Sequence, residues 1–199
     1  MRFVEIAHKS PRPHRRSLRL KGFDYAQAGA YFVTMSARNR QCLFGNILDG
    51  QVALTRFGEV VREEWVRTAT LRSSVTLDTF VVMPNHFHGI IVVTTDDEAI
   101  RGRGTARRAP TTERYGQPIS GSIPTIIRSF KSAVTKRING MRKTPGSRVW
   151  QRNYYEHVLR NERELDRVRE YIANNPLRWE LDRENPAATG IENRRPWEI

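Results

Sequence analysis

Apolar positions along the chain recur at two periods. Over 31-YFVTMSA-37 aromatic, β-branched and small residues alternate, the period of a strand. The connection RNRQCLFGNILDGQ follows, with a turn expected at Asp49-Gly50. From Leu54 to about Leu71 the apolar residues Leu54, Phe57, Val60, Val61, Trp65 and Ala69 return at helical spacing. Residues 75-VTLDTFVVM-83 and 86-HFHGIIVVT-94 read as strands joined through Pro84-Asn85, and so short a connection predicts an antiparallel pair. A second helix is expected over 122-SIPTIIRSFKSAVTKRIN-139, N-capped by Ser122, with Ile126, Ile127, Phe130, Val134 and Ile138 as its stripe. A last strand over 149-VWQRNYYEHVL-159 leads to Asn161 and Glu164, an N-cap and N3 pair opening the helix 162-ERELDRVREYIANN-175, which Pro176 should end or bend. The order β-α-β-β-α-β plus a C-terminal helix predicts an α+β fold, a ferredoxin-like antiparallel sheet with one added helix. Such a fold hosts many unrelated functions, so function has to be read from a site.

Charge narrows the partners. The 199 residues suit one domain and carry a net charge of +13, with a pI near 10.8. Nucleic acid is the first partner to consider and an anionic membrane surface the second. Residues 1–22 hold seven Lys or Arg and one acid, and read as an extended basic arm containing Arg12, Arg15 and Arg16 or as a solubilising tail. Residues 95–121 read as a long flexible basic loop, and 181–199 as a polar tail. Between Arg114 and Tyr155 there are nine Lys or Arg and no acid, whereas 46–100 hold eight acids and four bases. One face should therefore be strongly positive, with Arg128, Lys131, Lys136 and Arg137 as candidate phosphate contacts on the second helix. Their spacing does not put all four on one helix face. One cysteine, Cys42, excludes an internal disulfide. The N-terminus lacks the apolar stretch of a signal peptide, and no apolar run is long enough to span a bilayer, so a cytoplasmic protein without a membrane partner is expected.

The chemistry centres on 83-MPNHFHGIIVV-93. On a strand, His86 and His88 point to one face and Phe87 to the other. Two imidazoles side by side suit a metal, which would need a third ligand from elsewhere, or they are core histidines. On the last helix Tyr171 sits beside the stripe Leu165, Val168, Ile172, and Asn175 lies one turn on. Its phenol could attack phosphorus, helped by a divalent metal that withdraws charge from the phosphoryl oxygens, or its ring could pack at the core edge.

Together, 83-MPNHFHGIIVV-93 and 171-YIANNP-176 resemble the single-tyrosine transposases of the HUH endonuclease superfamily, in which two histidines flank a bulky hydrophobic residue. The likeness is strongest to the REP-associated tyrosine transposases. It covers roughly residues 23–180, and 31-YFVTMSARNR-40, 43-LFG-45 and 150-WQRNYYEHVLRNERELDRVREYIANNPLRW-179 support it. The resemblance implies that His86 and His88 bind Mg²⁺ or Mn²⁺, with Asn175 as third ligand. It implies that Tyr171 attacks single-stranded DNA beside a hairpin, giving a 5′-phosphotyrosine and a free 3′-OH, with strand transfer as the reverse step. It points to a monomer, although insertion-sequence relatives are dimers. Because Asn175 precedes Pro176 its torsions are expected to leave the helical region, which makes Asn174 a fallback ligand. Tyr154 and Tyr155 are alternative nucleophiles outside the motif. Two other classes fit parts of the pattern. One is a non-catalytic RNA- or single-stranded-DNA-binding ferredoxin-like module, although RNP-type phrases are not evident. The other is a metal-dependent nuclease that uses water.

Overall fold

The computed structural model describes residues 27–94 and 121–188. The basic arm with Arg12, Arg15 and Arg16, and the 95–121 loop up to residue 120, lie outside the described residues. The strands are β1 (Gly29–Ser36), β2 (Gly45–Leu48), β3 (Gln51–Leu54), β4 (Val75–Val82), β5 (His86–Val93) and β6 (Tyr155–Leu159). The helices are α1 (Arg56–Thr70), α2 (Ile123–Arg142) and α3 (Glu162–Asn174), followed by a 3₁₀ turn at Pro176–Leu181. The main sheet runs β4-β5-β1-β6 with every pairing antiparallel. With α1 and α2 as the two crossovers this is the ferredoxin-like topology.

The connection after β1 holds more structure than its pattern predicts. Residues 45–54 form a two-stranded hairpin turning at Asp49 and Gly50, whose φ values are 52° and 72°. Two successive residues in the left-handed region make the tight hairpin turn, which asks for Asp-Gly. The strands escape the sequence reading because each is four residues long and neither alternates strictly. Leu54, counted with the helix, ends β3, and α1 starts after Thr55, whose Oγ1 accepts from the Phe57 and Gly58 amides. The last strand is shorter than expected. Trp150 makes only an isolated bridge to Ala37, and regular pairing begins at Tyr155.

Strand alternation sorts side chains into two cores. Tyr31, Val33, Met35, Phe87 and Ile91 face α1 and α2 around a fully buried Trp65. The Trp65 ring lies 4.5 Å from Phe87 and 5.3 Å from Phe130. Gly89 makes room for it: a Cβ there would stand 2.7 Å from the indole. On the opposite face Phe32, Ile90 and Leu159 pack against Val168 and Ile172 of α3. His86 and His88 share that second face, which α3 covers.

A bulge fixes how α3 docks. The β4–β5 register shifts between Leu77 and Phe80, and this aims Asp78 at α3. Arg169 holds the Asp78 carboxylate with two nitrogens, at 3.1 Å and 2.7 Å. That guanidinium bond, with lesser help from the Thr79 amide and hydroxyl, lowers the carboxyl from its ordinary value of 3.8 to about 2. The folded value is the lower one, so the stabilisation is present above the ordinary value and is lost as pH falls toward 2. With Arg169 partly exposed, solvent screening leaves about 1 kcal/mol. Asp78→Asn should therefore destabilise by about that amount at pH 7 and by nearly nothing at pH 2, a difference read by urea unfolding at the two pH values.

Candidate active site

His86 and His88 open β5 opposite Ser36 and Thr34 of β1. Their ring centroids lie 4.6 Å apart and both rings are buried. Each ring is anchored through Nδ1. His86 Nδ1 is 2.9 Å from Asn85 Oδ1, and His88 Nδ1 is 2.8 Å from Thr34 Oγ1. The orientation of the Asn85 amide follows from its other end, where Nδ2 donates to the carbonyls of Arg40 at 3.0 Å and Glu184 at 2.6 Å. Its Oδ1 can only accept, so the His86 proton sits on Nδ1 and Nε2 presents a lone pair. The Thr34 hydroxyl can take either role toward His88.

Burial lowers the pKa of His88 well below the ordinary imidazole value, and the His86 ring lowers it further. Burial also lowers His86, with Asp182 and Glu184 pulling the other way. The neutral imidazole is the form that ligates metals.

Tyr171 reaches this pair from α3. Its hydroxyl is 3.3 Å from His88 Nε2, and its ring meets Phe32 and His88 edge-on. Burial, and secondarily the Asp182 carboxylate, raise the phenol above its ordinary value, so it is protonated at neutral pH. Asn175 keeps helical torsions, φ −59° and ψ −41°, despite the following proline. The expected departure does not occur, because the chain tightens into the 3₁₀ turn at Pro176 instead of leaving the helical region. The Asn175 amide therefore stays one turn beyond Tyr171. It is this amide, not that of Asn174, that bears on both His86 and Tyr171.

Two contributors lie outside the quoted motif chemistry. Asp182, two residues inside the expected polar tail, brings Oδ2 to 3.7 Å from His86 Nε2. His86, His88 and Asp182 each offer a ligand atom, all within 4.8 Å of one another. The buried His86 Nε2 and Asn175 Oδ1 make no hydrogen bond among the described residues. Imidazole nitrogen, amide oxygen and carboxylate oxygen converging with unfilled lone pairs form a donor set that fits a divalent cation. The second contributor is Asn85, which sets the His86 tautomer and ties the Arg40 turn to the tail. Asn85→Ala leaves His86 Nδ1 and two carbonyls without their partner and should destabilise by about 2–4 kcal/mol in thermal or urea unfolding.

The remaining candidates are placed elsewhere. Tyr155 pairs with Thr34 on the histidine face, its ring 6.5 Å from Phe32. Tyr154 packs with the opposite core and donates to Glu156 Oε2 at 2.7 Å. Helix α2 lies on the sheet face away from the histidines, and two of the four candidate phosphate contacts on it are engaged. Lys131 Nζ donates to the carbonyls of Gln151 and Asn153, and Arg137 pairs with Glu63 at 2.6 Å and Glu64 at 2.9 Å. The span free of acids in sequence is met by acids of α1 in space. Arg128 and Lys136 remain exposed. Lys136 borders a groove of about 440 Å³ with Lys131, Asn139, Arg148, Trp150 and Gln151. Among the described residues no helix is long and apolar enough to cross a membrane.

No protein-family model matches the chain. In fold it is similar to a solved REP-associated tyrosine transposase bound to a REP hairpin, with a TM-score of 0.50, 21% identity, and coverage of 77% of this chain and 70% of that one. A looser match, to a Deinococcus radiodurans crystal structure, has a TM-score of 0.41 and 17% identity, covers 78% of this chain and 97% of the other, and adds no weight. In sequence the chain is 39% identical over 170 residues to an uncharacterized protein of Haemophilus influenzae, spanning 85% of this chain and 92% of that protein. At that identity and coverage, this chain belongs to the same family as the Haemophilus influenzae protein.

Proposed function

We propose that this protein is a metal-dependent single-stranded-DNA endonuclease and transposase of the single-tyrosine kind, acting beside a DNA hairpin. One observation carries the reading. His88 and Tyr171, one from each of the two motifs that made the sequence resemblance, are 83 residues apart in the chain, yet the Tyr171 hydroxyl is 3.3 Å from His88 Nε2. A solved protein of the same fold is bound to a REP hairpin, which supports hairpin DNA as the partner.

In this reading Tyr171 attacks the phosphodiester, the bond from phosphorus to the 3′-oxygen breaks, and the phenol proton passes in net to that oxygen. The products are a 5′-phosphotyrosine and a free 3′-OH, and the reverse step joins strands. Mg²⁺ or Mn²⁺ held by His86, His88 and Asn175 supplies charge withdrawal from the phosphoryl oxygens. The phenol is protonated at neutral pH, so its attack requires that the proton leave. Thr34 and Asn85 fix the histidine rings, and the Asp78–Arg169 pair fixes the helix that carries Tyr171. The protein acts as a monomer.

The non-catalytic RNA-binding module is the weaker reading. Such modules stack bases on an open sheet face. Here both faces of the central strands are packed, one by α1 and α2 and the other by α3.

The test is cleavage of a labelled single-stranded hairpin in Mg²⁺ or Mn²⁺, with the polarity of the ends read on denaturing gels. A free 3′-OH with a protein-bound 5′ end is expected. Two free ends would mean that water is the nucleophile. The DNA surface has its own prediction. Arg128 and Lys136 are exposed, so neutralising both should flatten the log–log salt dependence of hairpin affinity by about 0.7 to 0.9 per lost phosphate contact. Adding neutral substitutions at Lys131 and Arg137 should mainly cost stability. An unchanged slope in the double variant moves the interface to the arm with Arg12, Arg15 and Arg16.

A further inference from the structure

The donor set that the sequence motifs supply is electrically neutral: two imidazoles and one carboxamide. Hard divalent cations prefer oxygen ligands and are commonly held by one or two carboxylates. Neither 83-MPNHFH-88 nor 171-YIANNP-176 contains an acid. The structure places one there from a separate segment. We propose that Asp182 is a further ligand of the metal centre, a carboxylate delivered by the segment that follows the 3₁₀ turn. This rests on the metal-dependent reading above and adds a ligand to it.

Three observations support the assignment. The first is that electron-rich atoms face one another. With its proton on Nδ1, His86 turns a lone pair toward Asp182 Oδ2 across 3.7 Å, in a space where the buried Asn175 Oδ1 also makes no hydrogen bond. Two acceptors converging in a buried space repel each other unless a cation lies between them. The distance is too long for a hydrogen bond. It is compatible with two donors of one ion bound at about 2.1 Å each, whose mutual separations run from roughly 3 to 4.3 Å.

The second is that the carboxylate is half committed. Its Oδ1 accepts from the Glu184 amide at 2.7 Å, in a local turn that leaves Oδ2 pointing at His86. A carboxylate locked through one oxygen, with the other free, is arranged as a monodentate ligand.

The third is that the segment carrying it is tethered at several points. Asn85, the neighbour of His86, donates to the Glu184 carbonyl. Ser36 donates to Glu184 Oε2 at 3.2 Å, and Arg40 pairs with the same carboxylate at 3.4 Å. Trp179 lies 6.0 Å from the His86 ring, and Asn185 Nδ2 donates to the Trp179 carbonyl. Leu177 seats against the hairpin turn, where a Cβ on Gly50 would stand 2.5 Å from its Cδ2. The β2–β3 hairpin thus buttresses the turn that presents Asp182.

The test is Mn²⁺ binding by EPR titration of metal-stripped protein without DNA, which does not depend on activity. Wild type should bind one Mn²⁺ per chain, with nitrogen couplings from the histidines. Asp182→Asn keeps shape and removes the charge. It should weaken Mn²⁺ affinity at least about tenfold while the melting transition of the apoprotein stays cooperative. If that variant fails to fold, Asp182→Glu, which keeps the charge but moves the oxygen by one methylene, should give a smaller loss. Affinity unchanged or tighter in these variants overturns the assignment of Asp182 and leaves the His86–His88 metal reading standing. No Mn²⁺ binding by wild type overturns both.

Discussion

Tyr171→Phe should abolish covalent capture of DNA, lowering the phosphotyrosyl product by more than about a thousandfold, because it removes the attacking atom and little else. The substituted ring keeps its packing against Phe32 and His88. The lost hydroxyl contact to His88 costs about 1 kcal/mol of stability, so the variant folds and still binds hairpin DNA. The readout is a denaturing gel of protein incubated with single-stranded hairpin DNA labelled downstream of the cut. A shifted band that persists in the variant would name another nucleophile. Tyr155 is then the next to substitute, since it lies on the same sheet face, whereas Tyr154 lies on the other.

His86→Ala and His88→Ala, each alone, should reduce cleavage to the level seen in EDTA while leaving hairpin affinity within a few-fold. Affinity rests on phosphate contacts and base readout, not on these two rings. Full cleavage in EDTA would contradict the metal reading. The pH profile adds a second check. Protons compete with metal for imidazole. Burial holds both folded-state values below the ordinary 6.5, so the neutral ligands persist as pH falls through that point. Cleavage in saturating metal should therefore not follow a histidine titration centred at 6.5. Folding stability has the matching sign: the unfolded chain takes up protons first, so stability declines as pH falls below 6.5.

Much of this architecture could be read along the chain, for a physical reason. The four strands of the main sheet and the three helices each bury a face, and burial writes a period into the sequence. Asn161 is an example at the level of one residue, its side chain accepting from the Glu164 amide at 2.9 Å. The pattern is silent where structure depends on few residues or on distant partners. The β2–β3 hairpin has four-residue strands, too short for a period to register. The Asn175 torsions follow the 3₁₀ turn beyond them, which overrides the local bias before proline. Arg137 looks like a free cation because sequence counts only acids nearby along the chain, while Glu63 and Glu64 approach from α1, and Lys131 is taken up by the carbonyls of Gln151 and Asn153.

The site divides in the same way. His86, His88, Tyr171 and Asn175 belong to two short motifs, and the fold brings them together. Asp182 belongs to no motif and follows a 3₁₀ turn, so nothing periodic marks it. A charge argument was the available signal, since two imidazoles and an amide leave a divalent ion without an anionic ligand. Asn85 stood within the quoted motif, but its role depends on carbonyls of Arg40 and Glu184 that sequence does not place nearby.

The most direct measurement is mass spectrometry of the covalent adduct after nuclease trimming and trypsin digestion. Cleavage after Arg169 and Arg178 isolates residues 170–178, in which Tyr171 is the one tyrosine, while 153–160 carries Tyr154 and Tyr155. The account predicts a nucleotide 5′-phosphate on Tyr171 in the 170–178 peptide, formed only with Mg²⁺ or Mn²⁺ and absent from Tyr171→Phe. A nucleotide on the 153–160 peptide, or cleaved DNA with no modified peptide at all, would contradict it.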